Sequence, residues 1–123
     1  MTYAETDFLL ALIKDDDWLQ EAAEEVYEKR QDELWTGRET LIELMLVAYR
    51  ENWDVLRTVT AARSLVDIRS ETEDVLAAAS YVEDDGFTPF DALHLVASGD
   101  DPIVSSESDY DGCSDRIELE NRT

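Results

Sequence analysis

The sequence predicts an α/β fold built on a mostly parallel sheet. Short runs rich in branched and aromatic residues alternate with segments of helical periodicity, an order that gives parallel strands covered by helices. The 123 residues suffice for one hydrophobic core and not for two. An apolar share of 44% is that of ordinary globular proteins, so the chain is not an acidic disordered segment.

Each element follows from local pattern. Thr2-Tyr3-Ala4 is a first short strand, and Phe8 to Ile13, just after Glu5-Thr6-Asp7, a first helix. Asp15-Asp16-Asp17 suits the positive end of a second helix from Trp18 to Arg30, whose apolar face is Trp18, Leu19, Ala22, Ala23, Val26 and Tyr27. Leu34-Trp35-Thr36 is a second strand. Thr36-Gly37-Arg38-Glu39 has the form of a capping box and opens a third helix reaching Tyr49 or Arg50. A fourth helix covers Val55 to Ser64, and the alternating Leu65–Arg69 is a third strand. Ser70-Glu71-Thr72-Glu73 is a second capping box, for a helix ending between Tyr81 and Glu83, before Gly86. Thr88 caps the next helix, with Pro89 at its first position and Gly99 past its end at Ser98. Pro102–Ser105 is a buried strand and Arg116–Leu119 a last edge strand, giving about five in all. Residues 1–120 form one domain and 121–123 a short polar tail.

The charge balance concerns the surroundings more than the fold. Acids outnumber bases 31 to 10, for a formal net charge of −21, and the only lysines are Lys14 and Lys29. Such a surface repels itself in dilute buffer, whereas at molar salt the Debye length falls to about 3 Å. The expectation is a cytoplasmic protein of a salt-loving cell. A sequence-independent nucleic-acid coat protein, which needs a basic surface, is excluded. A single cysteine, Cys113, and a single histidine, His94, exclude an internal disulfide and argue against a Cys/His zinc site. No apolar run approaches the ~18 residues of a membrane span, and the N-terminus lacks the basic region of a signal peptide.

A few acids sit where surface solvation explains them poorly. Glu43 is the only charge between Leu41 and Tyr49; a solvated stripe through Glu39, Glu43 and Arg50 would be interrupted by Leu46 and Val47. A partly buried carboxylate needs a cation, a metal or donors. Asp91 stands three residues after Thr88, where it suits a helix N-terminus, and opens an otherwise apolar helix. His94, on the same side, is expected to be a semi-buried, hydrogen-bonded histidine. Glu5 and Glu107 each follow a short strand and fall at one sheet edge, where α/β sheets place their sites; Asp109 and Asp111 follow closely. Converging carboxylates without bases repel one another. Hard divalent cations, Mg²⁺ or Mn²⁺ rather than zinc, relieve this and activate both a phosphodiester and a water for hydrolysis.

Four segments carry a family resemblance. Tyr3-Ala4-Glu5-Thr6-Asp7-Phe8 is similar to an opening strand with its D-T-[ND] motif, and Thr40-Leu41-Ile42-Glu43-Leu44 to a glutamate on an apolar helix. Phe90-Asp91-Ala92-Leu93-His94-Leu95 is the most specific, and Ile103-Val104-Ser105-Ser106-Glu107-Ser108-Asp109-Tyr110 is similar to a strand ending in an S/T-x-D turn before an aromatic. In this order and spacing the chain resembles PIN-domain ribonucleases, in particular the small VapC-like toxins of prokaryotic toxin–antitoxin pairs. The resemblance implies a three-layer α/β/α sandwich, often a homodimer, and Mg²⁺- or Mn²⁺-dependent endonuclease action on RNA. A toxin further implies a cognate antitoxin. Carried over residue by residue, Glu5, Glu43, Asp91 and Glu107 form the acidic quartet, with Glu5 and Asp91 the main metal ligands. Asp7 and Ser105 support the loops, and Asp109 or Asp111 stands in for Glu107. Glu5 and Glu107 occupy positions where the family usually carries a shorter acid or amide. A weakened or inactive RNA- or partner-binding relative is therefore the alternative reading.

Overall fold

A computed structural model describes residues 1–69 and 73–120 of the chain. The elements follow the order β1 (Thr2–Ala4), α1 (Thr6–Ile13), α2 (Gln20–Arg30), β2 (Leu34–Gly37), α3 (Arg38–Arg50), α4 (Val55–Leu65), β3 (Asp67–Arg69), α5 (Glu73–Asp85), α6 (Pro89–Ser98), β4 (Ile103–Ser105), a 3-10 turn at Ser108–Tyr110, and β5 (Arg116–Glu118). The strands form one five-stranded sheet in the order β3-β2-β1-β4-β5, with every neighbouring pair parallel.

Successive strand residues point to opposite faces, and here each face has its own core. Ala4, Leu34 and Val104 pack with Phe8 and Leu9 of α1, Ala22, Ala23 and Val26 of α2, and Ala62 of α4. Their neighbours Tyr3, Trp35 and Ile103 pack instead with Leu95 of α6 and Tyr110, flanked by Tyr81 and Phe87. Helices therefore cover both faces, which makes the expected three-layer α/β/α sandwich.

The strand order positions the site. The chain moves outward from β1 to β2 and β3, then returns to place β4 on the other flank of β1. β1 and β4 pair in register, Tyr3 with Ile103 and Ala4 with Val104. They flank the point where the winding reverses, and a crevice beyond their carboxyl ends is where such sheets bind ligands.

Several local expectations are corrected. The second helix starts at Gln20, not Trp18, because the Asp17 side chain accepts a hydrogen bond from Leu19 N at 2.9 Å and holds a turn there. Trp18 is consequently 76% exposed rather than on the packed face. No capping box forms at Thr36: that residue lies in β2, Gly37 is the N-cap of α3, and Thr36 Oγ1 donates to Ala4 O at 2.7 Å and Thr40 Oγ1 at 2.8 Å. Leu65 ends α4, so β3 is shorter than the alternation suggested. Thr88 is the N-cap of α6 with Pro89 in its first turn, but its side chain makes no capping bond. Residues 70–72 of the second capping box and the polar tail at 121–123 fall outside the described residues.

Candidate metal centre

Glu5 directly follows β1 and is the N-cap of α1. The residue is buried, 6% exposed. Oε2 accepts from Ser105 Oγ at 3.0 Å, and Oε1 lies 3.3 Å from His94 Nε2. Glu43 reaches the same spot from the middle of α3, with its side chain 25% exposed. Its Oε1 lies 2.8 Å from His94 Nε2 and accepts a short hydrogen bond from Thr6 Oγ1. Ligand atoms of Glu5, Glu43 and His94 all lie within 4.8 Å of one another.

A second group forms beside the first. Asp91, in the first turn of α6, joins Glu107 and Asp109, their ligand atoms also mutually within 4.8 Å. Glu107 follows β4; its N–H donates to Ser105 Oγ at 2.9 Å, and its Oε1 accepts from Asp109 N at 3.1 Å. Tyr110 links the two groups. Its buried hydroxyl donates to Asp91 Oδ1 at 3.4 Å, and burial together with the charges of Glu5, Asp91 and Asp7 pushes its ionisation far above the usual tyrosine range.

Asp7 is held more tightly than a loop support requires. Its Oδ2 accepts from Ser106 N at 2.7 Å, Ser106 Oγ at 2.5 Å and Ser105 Oγ at 3.2 Å. Its Oδ1 is buried and has no partner. Asp111, by contrast, does not join the acids. It is exposed and bound by the Arg116 guanidinium at 2.6 and 3.1 Å, and that arginine also holds Ser105 O and Glu120.

Electrostatics mark the nest as short of positive charge. Burial, then the Asp7 and Glu43 carboxylates, raise the Glu5 pKa well above the ordinary glutamate value, and the Ser105 hydroxyl works against them. Burial also disfavours the charge of Glu43, but His94, Thr6 and Arg50 outweigh it and hold Glu43 below its ordinary value. Among the described residues, no lysine or arginine forms an ion pair with Glu5, Asp7, Asp91 or Glu107. Crowded carboxylates with an orphaned buried oxygen fit a hard divalent cation, which takes oxygen ligands and supplies the missing charge.

Residue patterns alone understated some of these groups. His94 is fully buried, not semi-buried, and touches both Glu5 and Glu43. The D-x-x-H spacing of Asp91 and His94 on one helix face was the available signal. Glu43 is half-buried as expected, but not because Leu46 interrupts a solvated stripe, since Leu46 is itself 46% exposed.

No protein-family model matches the sequence, and no curated protein matches it significantly. Solved structures do match its fold. A toxin–antitoxin complex from Klebsiella pneumoniae aligns over 97% of this chain and 98% of that one, with a TM-score of 0.73 at 17% identity. Mycobacterium tuberculosis VapC20, described as a Sarcin-Ricin loop cleaving toxin, aligns over 91% of this chain and 94% of its own, with a TM-score of 0.75 at 17% identity. VapBC2 from Rickettsia felis, bound to a DNA fragment from its promoter, covers 96% and 98% with a TM-score of 0.73 at 12% identity. The chain thus has the α/β fold of VapC-type toxins along essentially its whole length.

Proposed function

We propose that this protein is a metal-dependent RNA endonuclease, the toxin of a toxin–antitoxin pair. The observations that support the reading are two acidic groups, Glu5 and Glu43 with His94 and Asp91 and Glu107 with Asp109, with Glu5 and Glu107 each just past the end of one of the adjacent strands β1 and β4, and a buried Asp7 oxygen without a partner. Glu5 and Asp91 are the proposed main ligands of Mg²⁺ or Mn²⁺; Glu43 and Glu107 complete its shell or orient the attacking water. Bound there, the cation would polarise the scissile phosphate and reverse the sign of the local field that a polyanion meets. Asp7 and Ser105 hold the β1 and β4 ends in place, and Asp109 backs Glu107. The fold match to a toxin described as cleaving an RNA loop supports RNA as the substrate class.

The matching complexes also support a cognate antitoxin as partner. A homodimer is supported by α3, where Ile42, Met45, Leu46 and Tyr49, at i, i+3, i+4 and i+7, present an exposed apolar stripe. Among the described residues, no helix is long and apolar enough to cross a membrane. The acidic surface suits a cytoplasm of concentrated salt.

The test is cleavage of structured RNAs by the purified protein with Mg²⁺ or Mn²⁺ at high salt. Asp91→Asn should lower the rate by more than about 100-fold with the fold intact; unchanged activity would remove the mechanism. One observation favours the weakened-nuclease alternative, since both Glu5 oxygens already face protein groups, Ser105 and His94. Failure to bind Mn²⁺ in titration, with the fold intact, would decide for it.

A further inference from the structure

We infer that His94 is a positioning residue for the metal ligands: its Nε2–H clamps the Oε1 atoms of Glu43 and Glu5, and it is not itself a ligand. The inference rests on the reading of these acids as a metal centre. His94 projects from α6 one turn after Asp91, so one helix supplies both an acid and the clamp for two others. Its Nε2 lies 2.8 Å from Glu43 Oε1 and 3.3 Å from Glu5 Oε1, and these two acids come from different elements, the end of β1 and the middle of α3.

The partners of the ring decide which nitrogen carries hydrogen. Nδ1 lies 2.8 Å from the Tyr3 hydroxyl, which burial keeps protonated. That hydroxyl also lies 3.2 Å from Glu39 Oε1 and 3.4 Å from Thr40 Oγ1. If Tyr3 donates to Nδ1, the neutral ring carries its hydrogen on Nε2. Thr6 Oγ1, 3.1 Å from Nε2, gives its own hydrogen to Glu43 Oε1, so it too can only accept from Nε2. With Tyr3 donating to Nδ1, Nε2–H points at Glu43 and Glu5. Thr6 Oγ1 adds a second donor to the same Glu43 oxygen. Glu43 is thereby fixed through Oε1, and among the described residues its Oε2 takes no hydrogen bond, so one oxygen stays uncommitted for a cation.

Glu5 gives the clamp its importance here. A glutamate has one more rotatable bond than an aspartate, and a metal with strict octahedral geometry tolerates little wandering of its ligands. Ser105 on one oxygen and His94 on the other remove that freedom. Outer groups of this kind typically change metal affinity 10- to 100-fold.

The experiment is Mn²⁺ titration of the full chain by calorimetry and electron paramagnetic resonance, with folding followed by circular dichroism. His94→Gln retains an N–H near the position of Nε2, whereas His94→Asn retains a polar group only near Nδ1. The expected result is Mn²⁺ affinity within about 3-fold of the unaltered protein for His94→Gln and about 10- to 100-fold weaker for His94→Asn. Equal affinities in the two variants would overturn the clamp. If His94→Asn does not fold, the unaltered protein carries the test through its electron spin-echo modulation. Bound Mn²⁺ without directly coupled imidazole nitrogen supports the clamp, and a coupled nitrogen makes His94 a ligand and overturns it. Absence of Mn²⁺ binding by the unaltered protein overturns the metal reading itself, a result distinct from either.

Discussion

Replacing Glu5 by Gln should stabilise the metal-free protein while weakening its response to metal. The carboxylate is almost wholly buried, and its ionisation is opposed by burial and by two like-charged neighbours, Asp7 and Glu43. At an effective dielectric of about 20, each like charge at contact distance adds roughly 4 kcal/mol. The bonds to Ser105 and His94 return part of this, at about 1.5–3 kcal/mol for each hydrogen bond to a charge. Gln has the same length, can still accept from Ser105 and carries no charge against Asp7 and Glu43, at the cost of the contact with His94 Nε2. The net expectation is a gain of about 2 kcal/mol in chelator, or roughly 6–10 °C in Tm for a domain of this size. The pH dependence has a definite sign. Because the folded pKa of Glu5 is raised, its favourable contribution is complete below the ordinary glutamate range and is lost as pH rises through the folded value. The advantage of Glu5→Gln should therefore grow from pH 4 to pH 7 in thermal unfolding scans with EDTA. With Mn²⁺ at about 100 times Kd the unaltered protein should gain about 2.7 kcal/mol, and the variant clearly less. A variant less stable than the parent in EDTA at pH 7, or equally stabilised by Mn²⁺, would refute the reasoning.

Two further outcomes follow from the surface and one from the core. Stability in chemical denaturation should rise from low salt to several molar KCl, as screening relieves a net charge of −21; a maximum at low salt would contradict the adaptation to concentrated salt. Leu46→Glu, in the exposed stripe of α3, should convert a dimer to a monomer in light scattering without lowering Mn²⁺ affinity. Leu44→Ala, fully buried one position from Glu43, should cost about 2–5 kcal/mol in urea unfolding.

The layout of the sheet was legible because alternation within three-residue strands is a local property. Tyr3 and Ala4, or Ile103 and Val104, separate onto two faces whatever surrounds them. Helix beginnings were less legible. Thr36 has the residue type of a cap, but the buried Ala4 carbonyl and Thr40 hydroxyl claim its side chain, and both depend on strand pairing. The places of Glu5 and Glu107 just after strands, and of Glu43 and Asp91 on helices, were legible from the local pattern. Asp111 was misplaced because no spacing shows that an arginine from β5 will bind it. His94 was underestimated for the same reason: Tyr3, Thr6 and Glu43 meet it across 91, 88 and 51 residues of chain, so its network exists only after folding.

The central claim is that these acids hold a divalent cation between the ends of β1 and β4. Anomalous diffraction at the manganese edge from Mn²⁺-soaked crystals tests it most directly. A peak is expected within coordination distance, about 2.0–2.3 Å, of carboxylate oxygens of Glu5 and Asp91, with His94 outside that shell. A saturating soak that leaves these acids without a peak, or places manganese only on surface carboxylates away from them, would contradict it.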